Sequence, residues 1–123
     1  MAKKILFAED EETLQKAMKQ RLTEEGYEVL VAHDGETAIE MAKKEKPDLV
    51  LLDLILPKKD GFEVLEEMKA DEKLNDIPVV VLTNLETNRD IQRVLDAGAT
   101  TYLVKANYEI DDVLDKLKNI LHK

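Results

Sequence analysis

Residues 49–61 read Leu-Val-Leu-Leu-Asp-Leu-Ile-Leu-Pro-Lys-Lys-Asp-Gly and place one charged residue, Asp53, inside an otherwise apolar run of eight. An apolar run without alternation fits a strand buried on both faces, as in a parallel sheet covered by helices. Pro57 and Asp60-Gly61 break the run, so Asp53 is expected near the strand's C-terminal end. Open α/β sheets bind ligands just outside that end. A carboxylate so placed acts as a nucleophile or a metal ligand; the plainer alternative is that it satisfies backbone donors of a neighbouring loop.

The flanking segments repeat one pattern. Ile5 to Ala8 is a short apolar strand that stops at Glu9-Asp10-Glu11-Glu12, and Leu14, Ala17, Met18 and Leu22 then share a helical stripe ended by Gly26. Glu28 to Ala32 reads as a second strand. Asp34-Gly35 opens a helix with Ala38, Met41 and Ala42 inward, stopped at Lys46-Pro47. After the central strand come a helix carrying Phe62, Leu65 and Met68, a solvated polar loop from Asp71 to Asp76, and a strand opened by Ile77-Pro78 that runs through Val79 to Leu82 and stops at Thr83-Asn84. A helix from about Asn88 to Ala97, with Ile91, Val94 and Leu95 inward, ends at Gly98. Thr101 to Val104 forms the fifth strand, stopping at Lys105, and Ile110, Val113, Leu114, Leu117, Ile120 and Leu121 mark a long amphipathic helix. Five such units imply an α/β fold, a doubly wound five-stranded parallel sheet with five helices.

Composition narrows the function. A chain of 123 residues is expected to form one domain, and the absence of cysteine excludes a disulfide framework or a thiolate metal site. With 27 acidic against 18 basic residues, the net charge of -9 repels nucleic acid unless positive charge is clustered. Lys43-Lys44-Glu45-Lys46 and Lys58-Lys59 are too short for that and read as solvated ends. The apolar run after Met1-Ala2-Lys3-Lys4 stops at Glu9, too early for a signal peptide, and no segment approaches a membrane span. The expected setting is the cytoplasm, without nucleic acid or membrane.

Strands one, three, four and five end in Glu9-Asp10, Asp53, Thr83 and Lys105, so their polar residues converge on one edge. Three carboxylates together repel one another, and a hard divalent cation such as Mg²⁺, with waters and a phosphate oxygen, relieves this. Lys105 pairs with Asp53 or holds a phosphoryl oxygen, and the Thr83 hydroxyl donates to another. This is the equipment of phosphoryl transfer to a carboxylate.

Glu9-Asp10, Asp53 followed by Pro57 and Asp60-Gly61, Thr83, Gly98-Ala99 and the run Tyr102-Leu103-Val104-Lys105 resemble the receiver domain of two-component response regulators, close to the single-domain chemotaxis type, over essentially the whole chain. The resemblance implies a flavodoxin-like topology and a single receiver domain over 1–123, with no effector domain of its own unless the chain is a fragment. It makes Asp53 the phosphoacceptor, Asp10 a direct Mg²⁺ ligand, Glu9 a ligand through water and the Ile55 carbonyl a further one. Thr83 and Tyr102 become the switch pair and Lys105 the phosphate clamp. The implied partners are a sensor histidine kinase or histidine phosphotransfer protein and an unknown downstream protein, reached through the fourth helix, fifth strand and last helix. Such a chain is not an enzyme beyond its own phosphorylation and dephosphorylation.

Two positions depart from the family pattern. Asn84 stands where a small residue is usual and crowds the phosphoryl pocket; Ala106 stands where proline usually follows the lysine, so Lys105-Ala106 is either trans with an altered loop or a strained cis bond. Ile55 and Leu85, two residues beyond Asp53 and Thr83, are expected to overhang the acyl phosphate and exclude water. Alternative readings are an aspartyl-nucleophile phosphatase, which lacks a second aspartate where Ile55 sits, and a phosphorelay intermediate that passes the group onward. A flavin module would need a Ser/Thr/Gly-rich phosphate loop after the first strand.

Overall fold

The structure, a computed structural model, describes residues 2–85 and 87–122. Its strands are β1 (Lys4–Ala8), β2 (Glu28–Ala32), β3 (Leu49–Leu52), β4 (Val79–Thr83) and β5 (Thr101–Val104), alternating with α1 (Glu12–Glu24), α2 (Gly35–Glu45), α3 (Gly61–Ala70), α4 (Asn88–Asp96) and α5 (Ile110–Leu121). All pairings are parallel, in the order β2-β1-β3-β4-β5, with Ile5 opposite Leu49, Val50 opposite Val79 and Leu82 opposite Leu103.

The period of two along each strand sorts the core into two layers. Ile5, Phe7, Leu49, Leu51, Val80 and Leu82 pack with Met18 and Leu22 of α1 and Val113, Leu114 and Leu117 of α5. Leu6, Ala8, Val50, Leu52, Val79 and Val81 pack on the opposite side with α2, α3 and α4 through Ala38, Ala42, Leu65, Met68 and Val94. The uninterrupted apolar strands are thus covered on both faces, as their sequence implies.

Local signals agree with these bounds. Asp34 caps α2 by accepting from Thr37 N–H at 2.7 Å, Asp60 caps α3 by accepting from Glu63 N–H at 3.0 Å, and Lys46 ends α2 in a left-handed conformation (φ 45°) before Pro47. The Lys105-Ala106 peptide is trans, and the chain there closes one 3-10 turn, Lys105–Asn107.

Three expectations need correction. Leu95 is exposed, because α4 meets the core along the narrow line of Val94 and, at the helix end, Ala97, three residues apart, and Leu95 lies about 100° around the helix from Val94. Leu74, inside the segment read as a solvated loop, is fully buried: Leu74 and Asn75 N–H groups donate to the Asp71 carbonyl, and the resulting turn drives the side chain into the core. On α1 the buried set is Gln15, Met18 and Leu22, while Leu14 and Ala17 are half-buried.

Candidate functional site

Parallel strands bring all their carboxyl ends to one edge, and in this order the winding reverses between β1 and β3, where a crevice opens. Glu9 follows β1 and Asp53 follows β3. The Glu9 N–H donates to the Ala32 carbonyl and the Asp53 N–H to the Ala8 carbonyl, each at 3.0 Å, so both carboxylates project from backbone still tied to the sheet.

Lys105 joins them. Its Nζ lies 3.0 Å from Asp53 Oδ2 and 2.7 Å from Glu9 Oε1. Glu9 is 1% exposed and Asp53 5%. The Ile55 N–H donates to Asp53 Oδ1 at 3.2 Å, and the Glu11 N–H to Glu9 Oε2 at 3.1 Å. Burial pushes the Glu9 carboxyl above its ordinary pKa, against the opposing pull of the Lys105 ammonium and the Glu11 N–H. Burial also works against the charge on Lys105, but Glu9 and Asp53 together outweigh it and raise that pKa. The lysine is therefore held as an ammonium, one cation facing two carboxyl groups.

Among the described residues, two buried side-chain polar atoms lack a hydrogen-bond partner: Glu9 Oε1, whose close ammonium contact is not aligned as a hydrogen bond, and Thr83 Oγ1 at the end of β4. A buried hydroxyl without a partner is costly, and a site that receives a ligand oxygen accounts for it.

Glycines let the backbone close around Asp53. A Cβ on Gly61 would stand 2.3 Å from the Asp53 carbonyl oxygen, so α3 begins directly against the Asp53 backbone, with the Gly61 N–H donating to the Leu54 carbonyl at 2.9 Å. A Cβ on Gly35 would stand 1.7 Å from the Lys59 carbonyl oxygen, so the start of α2 backs the loop between β3 and α3.

The other expected site residues are spread around this core. Asp10 and Asn84 are exposed, and Ile55 is 59% exposed at the rim. Leu85 is half-buried and packs on the layer of α2, α3 and α4. Tyr102 is half-buried on β5, and its hydroxyl donates to the Leu85 carbonyl, tying β5 to the segment after β4. Sequence reasoning missed Gln15, a buried amide that donates to the Glu9 carbonyl. Its signal was the spacing of residues 15, 18 and 22, which puts it in the apolar stripe.

A model of the response regulator receiver domain matches residues 5–118. The chain belongs to that family. The response regulator PleD of Caulobacter vibrioides is 40% identical over 114 residues, which are 93% of this chain but only 24% of that protein. Chemotaxis protein CheY4 of Vibrio cholerae superposes with a TM-score of 0.90 at 27% identity, covering 98% of this chain and 100% of that one. The receiver domain of sensor histidine kinase PA1611 from Pseudomonas aeruginosa PAO1 gives 0.89 at 28% identity with full coverage of both chains, and it has a magnesium ion coordinated in its active site cleft.

Phosphoryl acceptance is the property that membership carries, and the receiver site suits a metal by its donors. Among the described residues no three His, Cys, Asp or Glu side chains are gathered closely enough to hold a metal. Two carboxylates do converge, and a small hard cation that retains waters and takes phosphate oxygens needs only one or two.

Proposed function

We propose that this receiver is a phosphorylation switch in which Asp53 accepts a phosphoryl group from a histidine kinase or histidine phosphotransfer protein in the cytoplasm. The reading is carried by the buried Asp53 carboxylate paired with Lys105, together with the buried, unpartnered Thr83 hydroxyl at the end of β4, the strand next to β3. An Asp53 oxygen attacks phosphorus in line as the bond from phosphorus to the donor nitrogen breaks, and that electron pair leaves with the donor. The Ile55 N–H and the Lys105 ammonium orient the carboxylate; Lys105 and Thr83 then take oxygens of the transferred group. Asp10, Asp53 and the Ile55 carbonyl would hold Mg²⁺ directly and Glu9 through water, and the ion when bound would neutralise charge on the phosphoryl oxygens. Among the described residues no helix is long and apolar enough to cross a membrane.

The output runs through α4, β5 and α5. Drawing Thr83 toward the phosphoryl group strains the segment after β4, whose Leu85 carbonyl holds the Tyr102 hydroxyl, and Tyr102 turns inward as that bond is exchanged. Phosphorylation thus favours one of two packings by differential contacts. Beryllofluoride, a phosphoryl mimic, added with Mg²⁺ is expected to shift amide resonances at residues 87–97 and 102–110. Shifts confined to the loops touching Asp53 would refute the coupling, and no shifts would refute the acceptor site.

A further inference from the structure

Gln15 is the polar side chain that the phosphoryl chemistry leaves unexplained. It lies one turn into α1, in line with Met18 and Leu22, and is 4% exposed. Its Nε2 donates to the Glu9 carbonyl and lies 2.8 Å from Nδ1 of His33, the residue that follows β2. An amide nitrogen carries two N–H groups and accepts nothing, so one N–H serves each contact and His33 Nδ1 is the acceptor. Turning the amide over would face its oxygen against the Glu9 carbonyl, so the hydrogen-bond network fixes its orientation.

Glu9 is consequently held at both backbone groups, with its N–H on the Ala32 carbonyl at 3.0 Å and its carbonyl on Gln15. The peptide that carries this carboxylate is pinned between β2 and α1. The side chain then keeps Oε2 on the Glu11 N–H and Oε1 against Lys105. We propose that Gln15, braced by His33, is a positioning residue that aims the Glu9 carboxylate at the metal and phosphoryl site. The role rests on the switch function proposed above. Apolar side chains at 15 would pack the helix equally well but leave the peptide unpinned, with the carboxylate free to follow Lys105.

The test compares Gln15→Met, which keeps length and helix propensity but has no donor, with Leu22→Ala, a cavity on the same helix face away from Glu9. Mg²⁺ is titrated into each by amide shifts, and amide hydrogen exchange is followed without metal. Gln15→Met is expected to bind Mg²⁺ about 10-fold more weakly than wild type, the scale seen when the support of a ligand is lost. Its Glu11 amide should exchange several-fold faster without metal, while amides of α5 keep their protection. Leu22→Ala should lose stability yet retain Mg²⁺ affinity. Equal Mg²⁺ affinity in wild type and Gln15→Met overturns the role, as does an equal loss in Leu22→Ala. Wild type that binds no Mg²⁺ overturns the switch function as well. If Gln15→Met does not fold, Gln15→Asn, one methylene short of the Glu9 carbonyl, takes its place with the same expectations.

Discussion

The Lys105 ammonium lies 3.0 Å from Asp53 Oδ2, closing the resting site with a charge from the turn just after β5 on a carboxylate just after β3. The same nitrogen is 2.7 Å from Glu9 Oε1, so removing it strands two buried carboxylates together. Breaking a buried ion pair from one side is far more damaging than the pair itself is stabilising.

Lys105→Met is therefore expected to cost the metal-free protein about 3 kcal/mol. Mg²⁺ should recover more stability in the variant than in wild type, because the cation relieves a repulsion that Lys105 otherwise offsets. Urea unfolding with and without Mg²⁺ measures both; an equal Mg²⁺ effect in the two proteins would show that lysine and metal do not share this charge.

Acid sensitivity has one traceable source at the start of α2. The Thr37 N–H, bonded to Asp34, holds that carboxyl below its ordinary pKa, with the Thr37 hydroxyl and Lys58 adding to the effect. A depressed folded-state pKa contributes stability that is present above the unfolded value and lost as pH falls through the folded one. Asp34→Asn keeps a cap but cannot titrate, so its unfolding free energy should fall less steeply than wild type on the acid side of the ordinary aspartate range. Asp34→Ala should cost about 1 kcal/mol at neutral pH. Parallel slopes in wild type and Asp34→Asn would remove Asp34 as the source.

Asp53 was legible because a carboxylate inside eight apolar residues violates the rule that its neighbours obey, and the strand ends of Glu9, Thr83 and Lys105 follow from breaks in the same kind of run. The two core layers were implied by strands without alternation. Leu95 misled because a period of 3.6 predicts a wide stripe, whereas α4 touches its neighbours along a narrow one. Leu74 was hidden because the turn that buries it is made by backbone bonds to Asp71 amid polar neighbours. The long reach of Gln15 to both Glu9 and His33 is a tertiary relation, for which a buried position supplies only the motive.

The lifetime of the phosphorylated state is expected to be long for a receiver. Hydrolysis needs a water placed in line with the acyl phosphate; the side chains of Ile55 at the rim and Leu85 beyond Thr83 offer no hydrogen bond to orient one, and Asn84 is expected to narrow the approach. Ile55→Asn combined with Leu85→Glu supplies such groups and should speed loss of phosphate at least several-fold, since general acid-base help is typically worth ~10² to 10⁴ in rate. Equal rates in the two proteins would show that these positions do not govern access.

The role of Asp53 as phosphoacceptor is tested by intact mass after incubation with acetyl phosphate and Mg²⁺. Asp53→Asn keeps the shape of the side chain and removes the attacking anion. Wild type is expected to gain the mass of a single phosphoryl group, with the gain prevented by EDTA and absent from Asp53→Asn. An unmodified wild type, or an Asp53→Asn variant that gains the same mass, would contradict the assignment.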